Sequence, residues 1–245
     1  MDLRPPAQEN GWAIETQGLT RFFGHISALQ DITLQVRYGA FVTVLGPNAA
    51  GKTTLLRVLA TLTRPSKGHV RVGGLDVRGQ DADIRALIGW VGEQTLLYGH
   101  LSTHENLRFY GRMYGVRDLE PRIDALIKRL GLGDRKDDAV HILSRGMQQR
   151  VAIARAILHL PPILLLDEPY SGLDRHGATI LSNLLRELQD EGHTILMTTH
   201  DLLRASELGA QVLILLDGRL VQQLDAQTKP EDLRSTYDRY VGEQR

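Results

Sequence analysis

Two stretches of this sequence carry residues in the order that phosphate chemistry needs. The first, Gly46-Pro47-Asn48-Ala49-Ala50-Gly51-Lys52-Thr53 followed by Thr54, fits the pattern GxxxxGK[ST]. Such a loop turns backbone N–H groups toward the β- and γ-phosphates of a nucleotide at a helix N-terminus, Lys52 neutralises charge, and the Thr53 hydroxyl is a ligand for Mg²⁺. A Gly-rich connector is the plainer reading. The flanks weigh against it, because the apolar run Phe41 to Leu45 precedes the loop and a helical pattern follows it.

The second stretch is Ile163-Leu164-Leu165-Leu166-Asp167-Glu168-Pro169, a strand-like apolar run that ends in two carboxylates before a proline turns the chain away. Asp167 suits holding Mg²⁺ through water, and Glu168 suits polarising a water for in-line attack on a γ-phosphate. Solvation of a strand end is the competing explanation. His200 closes another apolar run, Thr194 to Thr199, and fits either a γ-phosphate contact or a structural role at the same sheet edge. Ahead of the loop, Phe23 in Arg21-Phe22-Phe23-Gly24 fits either a stack on adenine, worth about 1 kcal/mol, or a place in the core.

These groups need a scaffold that brings strand ends together. The β-branched runs Ile32 to Val36 and Phe41 to Leu45 read as strands, Thr53 to Leu62 as a helix stopped before Pro65, and His69 to Val72 as a strand before Gly73-Gly74. From about Thr95 to Ala156 the spacing is mostly helical, with breaks expected at Gly115, Pro121 and Gly131, which predicts a helical lobe inserted into an α/β core. The core resumes with a strand Ile163 to Leu166, a helix around Ala178 to Glu191, strands Thr194 to Thr199 and Val212 to Leu216, and a hairpin turn at Asp217-Gly218. The charged C-terminal segment predicts a short helix or a frayed end. The expectation is a polar tail over 1–11 and one domain over 12–245, with the lobe at about 95–156.

With 245 residues the chain suffices for one large domain or a core with a lobe. Lys and Arg number 29 and so do Asp and Glu, so no global field recruits nucleic acid or anionic lipid, and no nucleic-acid partner is expected. The absence of cysteine excludes disulfides and thiolate metal sites. No run approaches the roughly 18 apolar residues of a spanning helix, and the opening residues lack the apolar stretch of a signal peptide, so a membrane role is expected to need another subunit.

Between the two phosphate stretches lies Leu143-Ser144-Arg145-Gly146-Met147-Gln148-Gln149-Arg150, which resembles the LSGGQ-type signature of ABC ATPases. The order Phe23, P-loop, Gln94, signature, Leu166-Asp167-Glu168, Ser171-Gly172-Leu173-Asp174 and His200 is similar to the whole ABC series over about residues 13 to 225. The resemblance implies an α/β fold with a P-loop NTPase core, a mixed sheet with flanking helices, an inserted helical lobe and an N-terminal antiparallel β region. It implies an ATPase using ATP and Mg²⁺, in which Gln94 is the Q-loop residue and a metal contact, and Asp174 is the D-loop acid between subunits. Ser144 and Gly146, with Arg145 and Met147 beside them, would bind the γ-phosphate held by a second copy in a head-to-tail dimer. Integral-membrane transporter subunits would dock on the lobe at the cytoplasmic face. Tyr98, Leu101 and Leu107 fit either that groove or the lobe core.

Two departures stand out. Ala49 occupies a position where the family usually has Gly, at a cost of about 1 kcal/mol if the backbone needs positive φ. Arg145 and Met147 replace the usual Gly and Gln, and Arg145 fits either a phosphate contact or solvent. Leu143 to Gln149, Asp167 to Asp174 and Ala60 to Pro65 look like the haem-exporter type of subunit used in cytochrome c maturation. Exporters of drugs, lipids or polysaccharides, and a soluble non-transport ABC ATPase, are the alternatives.

Overall fold

The computed structural model describes residues 11–208 and 210–242, so the expected tail lies, apart from Gly11, outside the described residues. Strands β1 (Trp12–Phe23) and β2 (Ile26–Arg37) form a long hairpin, and β3 (Phe41–Leu45) leads into the phosphate loop and helix α1 (Lys52–Leu59). Strands β4 (Lys67–Val72) and β5 (Leu75–Asp76) follow, then α2 (Asp81–Leu87) and β6 (Ile88–Val91). The lobe holds α3 (Thr103–Met113), α4 (Leu119–Arg129) and α5 (Arg145–Ile157). The chain closes with β7 (Ile163–Asp167), α6 (Arg175–Asp190), β8 (Thr194–Thr199), α7 (Leu202–Glu207), β9 (Gln211–Leu216), β10 (Arg219–Leu224) and α8 (Pro230–Gly242).

Two sheets result. One is antiparallel in the order β2-β1-β4-β5; the other runs β10-β9-β3-β8-β7-β6 and is parallel except at the β9–β10 hairpin. Alternation along β7 shows how the parallel sheet is covered. Ile163 and Leu165 pack with α1 and the antiparallel sheet, while Leu164 and Leu166 pack with α5, α6 and the lobe. A strand buried on both faces must be apolar throughout, which is why this run lacks the polar alternation of a half-exposed strand. The parallel arrangement puts the carboxyl ends of β3, β6, β7, β8 and β9 on one edge, where such sheets place ligands.

Several boundaries differ from the sequence reading. Helix α1 ends at Leu59 rather than at Leu62, because Thr61 takes a left-handed φ of 60°. Thr61 N then donates to Val58 O and Leu62 N to Arg57 O, the Schellman pattern, and Leu62 is left exposed. Pro121 does not break the lobe; it sits in the first turn of α4, where its missing N–H costs nothing. Helix α2 and the four-residue strand β6 were not anticipated. The Asp217-Gly218 turn has positive φ at both positions, 44° and 75°, as the tight hairpin between Leu216 and Arg219 requires. The C-terminal segment is helical as α8.

Candidate functional site

The loop after β3 is shaped by close approaches that exclude side chains. A Cβ on Gly46 would stand 2.2 Å from the carbonyl oxygen of Leu215, and one on Gly51 would stand 2.5 Å from that of Ala28. Gly51 also has φ 104°, a conformation that L side chains rarely adopt. Ala49 has φ 65°, so the methyl group that departs from the family pattern does sit in left-handed backbone. Gly51 precedes the first turn of α1, whose N–H groups of Lys52, Thr53 and Thr54 have no carbonyl one turn back. Pro47 is half-buried, Ala50 is buried, and Asn48, Ala49 and Thr53 are exposed along the rim.

Lys52 is buried, and its Nζ donates to the carbonyls of Gly46 at 2.8 Å and Pro47 at 3.0 Å. It also stands 3.4 Å from Glu168 Oε1, while Glu168 Oε2 bonds His200 Nδ1 at 3.0 Å. Glu168 is thus held between an ammonium from the phosphate loop and an imidazole from the end of β8. Its own φ is 48°, a strained value for a residue with a long side chain.

That strain is held by a residue that sequence reasoning missed. Thr198, fully buried in β8, donates from Oγ1 to Asp167 Oδ1 at 2.6 Å and accepts from the backbone N of Glu168 at 3.0 Å. One hydroxyl therefore orients both acids. The pairing of Asp167 with Thr198 across β7 and β8 makes this possible, and only the register discloses it. Asp167 is buried at the carboxyl end of β7, and Thr53 is exposed at the start of α1. An oxygen set of this kind, a buried carboxylate and a hydroxyl beside a phosphate cradle, fits Mg²⁺.

Gln94 lies three residues beyond β6, which pairs with β7 as far as Val91 and Leu166, and its side chain is exposed. Phe23 is half-exposed at the tip of the β1–β2 hairpin, with the Arg21 guanidinium 4.5 Å from its ring centre, so a core role is excluded. His200 is mostly exposed at the end of β8 and bonded to Glu168 at 3.0 Å. Leu107 is fully buried in the lobe core, whereas Tyr98 is half-exposed and Leu101 half-buried.

Ser144 caps α5, its Oγ accepting from Met147 N at 3.3 Å, and Asp174 caps α6, its Oδ1 accepting from Gly177 N at 2.7 Å. Gly146 packs so tightly on the segment before α6 that a Cβ there would be 2.9 Å from Gly172 O. Arg145 lays its stem across Gly172, with Cγ and Cδ 3.1 Å from where a Cβ would be. It is exposed, and among the described residues its guanidinium has no hydrogen bond or ion pair. Gln149 Nε2 donates to Pro169 O at 3.3 Å, tying the same helix to the residue after Glu168. Among the described residues, neither Ser144 nor Asp174 makes a hydrogen bond to residues 46–54. The cradle with its acids and the start of α5 are therefore two separate places in the chain, and a helix start such as that of α5 suits an anion.

A family model described as ABC transporter matches residues 29–171. The ABC transporter ATP-binding protein NatA of Bacillus subtilis (strain 168) is 36% identical over 219 residues, covering 88% of this chain and 89% of its own length. The daunorubicin resistance ATP-binding protein DrrA3 of Streptomyces coeruleorubidus is 37% identical over 213 residues, covering 86% and 67%. Among solved structures, a dimeric post-hydrolysis state of the ATP-binding cassette MJ0796 bound to ADP and Pi superposes with a TM-score of 0.81 at 28% identity, covering 88% of this chain and 100% of that one. An ATP-binding subunit of an ABC transporter superposes with a TM-score of 0.84 at 26% identity, covering 92% and 99%.

Proposed function

Because this chain belongs to the ABC transporter family and is an ATPase of that family, we propose that it powers a transporter by closing on a second copy of itself around two ATP molecules. The observation that carries the reading is the Lys52–Glu168–His200 cluster beside the phosphate loop. ATP enters the cradle over residues 46–54 with its adenine against Phe23. Its phosphates draw Lys52 away from the carbonyls and carboxylate that it contacts now, which frees Glu168 to act as a base. Thr53, Gln94 and Asp167 would hold Mg²⁺, which would supply charge neutralisation at the phosphates. Glu168 accepts a proton from the attacking water, and His200 steadies that carboxylate and reaches the γ-phosphate.

The second half of the site comes from the other copy. Its Ser144 and the first N–H groups of its α5, with Arg145 and Met147 beside them, close over the same γ-phosphate. Asp174 carries the contact back between the copies, two residues after the Gly172 carbonyl that lies against Gly146. Hydrolysis removes the charge that both halves grip, and the pair opens. Integral-membrane subunits seated on the lobe at the cytoplasmic face carry the coupled transport step. No helix among the described residues is long and apolar enough to cross a membrane.

The variant Glu168→Gln tests this reading. It retains ATP binding, elutes as a dimer in ATP and Mg²⁺, and turns over about 100-fold or more slowly, the usual worth of a general base. Normal turnover by this variant would remove Glu168 from the role.

For cargo we propose haem export in cytochrome c maturation, on the resemblance of Ala60 to Pro65, Leu143 to Gln149 and Asp167 to Asp174 to subunits of that type. Deleting this subunit with its membrane partners intact then abolishes covalent haem in c-type cytochromes. The similarity to the daunorubicin resistance protein favours a second reading, export of a drug-like molecule, which normal haem attachment together with new drug sensitivity would support.

A further inference from the structure

The segment around Gln94 is gripped on both sides by a pair from the lobe, a buried arginine and a half-buried tyrosine. Arg155 of α5 is 6% exposed, and among the described residues no carboxylate neutralises it. Its Nη2 donates to the carbonyl of Trp90 at 2.7 Å, its guanidinium lies 5.2 Å from the centre of the Tyr110 ring, and its Nε has no partner among the described residues. Burying a cation this way is costly, and a leucine would fill a helix–strand interface at lower cost. The guanidinium therefore points to a need for a directed contact, which the Trp90 carbonyl and the aromatic face supply.

Tyr110 of α3 completes the grip. Its hydroxyl donates to the carbonyl of Leu96, and Leu96 has φ 55°, left-handed backbone that a leucine avoids. Two residues further on, the Tyr98 backbone exchanges bonds with the Asn106 side chain, N to Oδ1 at 2.8 Å and Nδ2 to O at 3.0 Å. Trp90 is four residues before Gln94 and Leu96 two after it, so the loop is fixed at both ends while the Gln94 side chain stands free in solvent.

We propose that Arg155 and Tyr110 are positioning residues for the ATPase reaction: together they hold the Gln94 loop in a strained conformation, so that tilting the lobe moves Gln94 into or out of the metal end of the site. The inference rests on the reading of Gln94 given above. The strain at Leu96 makes the loop two-state, because loss of the Tyr110 bond lets the backbone relax toward ordinary φ and draw Gln94 away.

The test uses the full chain in a Trp12→Phe background, where Trp90 is the remaining tryptophan. Tyr110→Phe removes one hydroxyl from a half-buried ring and is expected to lower kcat about fivefold with KM for ATP unchanged, the value of one hydrogen bond. The change in Trp90 emission on adding ATP and Mg²⁺ shrinks in parallel. Arg155→Lys, which keeps the charge and loses the planar fork, behaves likewise. Leu96→Asn, whose side chain tolerates left-handed backbone, restores most of the lost kcat when added to Tyr110→Phe, a rescue that generic loosening of the lobe would not give. Wild-type kcat in Tyr110→Phe alongside impaired Gln94→Ala overturns the clamp alone. Wild-type kcat in Gln94→Ala removes the reading of Gln94, and the clamp with it.

Discussion

Replacing Thr198 with valine keeps the volume in β8 and deletes the hydroxyl that orients both acids. Asp167 Oδ1, in a buried bond, loses a donor at 2.6 Å, and the half-buried Glu168 N loses an acceptor at 3.0 Å. Stranding the buried carboxylate oxygen, with a smaller share from Glu168 N, costs about 2–4 kcal/mol in stability. For a chain of this size that is a fall in Tm of roughly 10 °C. Without its bond to Thr198, Glu168 at φ 48° is free to relax, and a shift of its carboxylate by about 1 Å lowers kcat roughly 100-fold. The control lies on the neighbouring strand. Thr43 is equally buried in β3, yet among the described residues its hydroxyl has no hydrogen-bond partner, so Thr43→Val leaves stability unchanged or raises it by about 1 kcal/mol. Thermal denaturation and steady-state phosphate release, measured on the pair, decide the matter. Equal Tm shifts in the two variants, or full activity in Thr198→Val, would refute the reasoning.

Ala49→Gly relieves a left-handed alanine worth about 1–2 kcal/mol while adding unfolded-state freedom of about 0.4–1 kcal/mol, so denaturation should show net stabilisation near 0.5–1 kcal/mol. KM for ATP is unchanged if the loop keeps this shape when nucleotide binds. His159, stacked on Tyr114 at 4.0 Å and bonded to Ile88 O, has its pKa depressed to about 4, chiefly by burial and further by Arg122 and Arg155. The unfolded chain therefore binds a proton near pH 6.5 that the folded chain refuses until about pH 4, so stability is full above the upper value and falls across that window by up to roughly 3 kcal/mol. His159→Phe should flatten the slope of urea-denaturation stability between pH 6.5 and 4, and an unaltered slope would assign the acid sensitivity to other groups.

The parts of the site that lie in one continuous stretch were legible in the sequence: the loop from Gly46 to Thr53, the acids closing β7, and the Ser144 cap of α5. Each is a local pattern whose chemistry needs those residue types side by side. What stayed hidden depends on register or on tertiary burial. Strand β6 has four residues, one of them Gly89, whose Cβ would stand 2.4 Å from Ala156 O, so packing against α5 and pairing with β7 make it a strand rather than its propensity. Thr198 looks like any β-branched strand residue until the pairing with Asp167 is known. Arg155 follows a helical pattern that would place an arginine toward water, yet it is buried under the loop it grips. Leu62 and Pro121 misled for the opposite reason: apolar spacing does not disclose a Schellman ending, and proline breaks a helix or suits its first turn according to where the helix starts, here Leu119.

The phosphate loop is held in shape by chain that is distant in sequence, and this explains why the antiparallel sheet belongs to the site. Gly218 N donates to Ala50 O at 2.9 Å, and Gln30 N donates to Gly218 O at 2.7 Å. The Ala28 carbonyl fills the space beside both Gly51 and Gly218. Gln30 then bonds Arg219 and the carbonyl of Asp217, so β2, the loop and the β9–β10 hairpin lock together. These contacts leave no room for a Cβ at Gly51 or Gly218, which fixes the loop from behind while Asn48, Ala49 and Thr53 stay exposed on its rim and Lys52 reaches Glu168. A cradle braced in this way enters ATP binding with its backbone donors already aimed. Most of the ordering cost is then met during folding, and the binding energy of the nucleotide remains available to draw the second copy across the γ-phosphate.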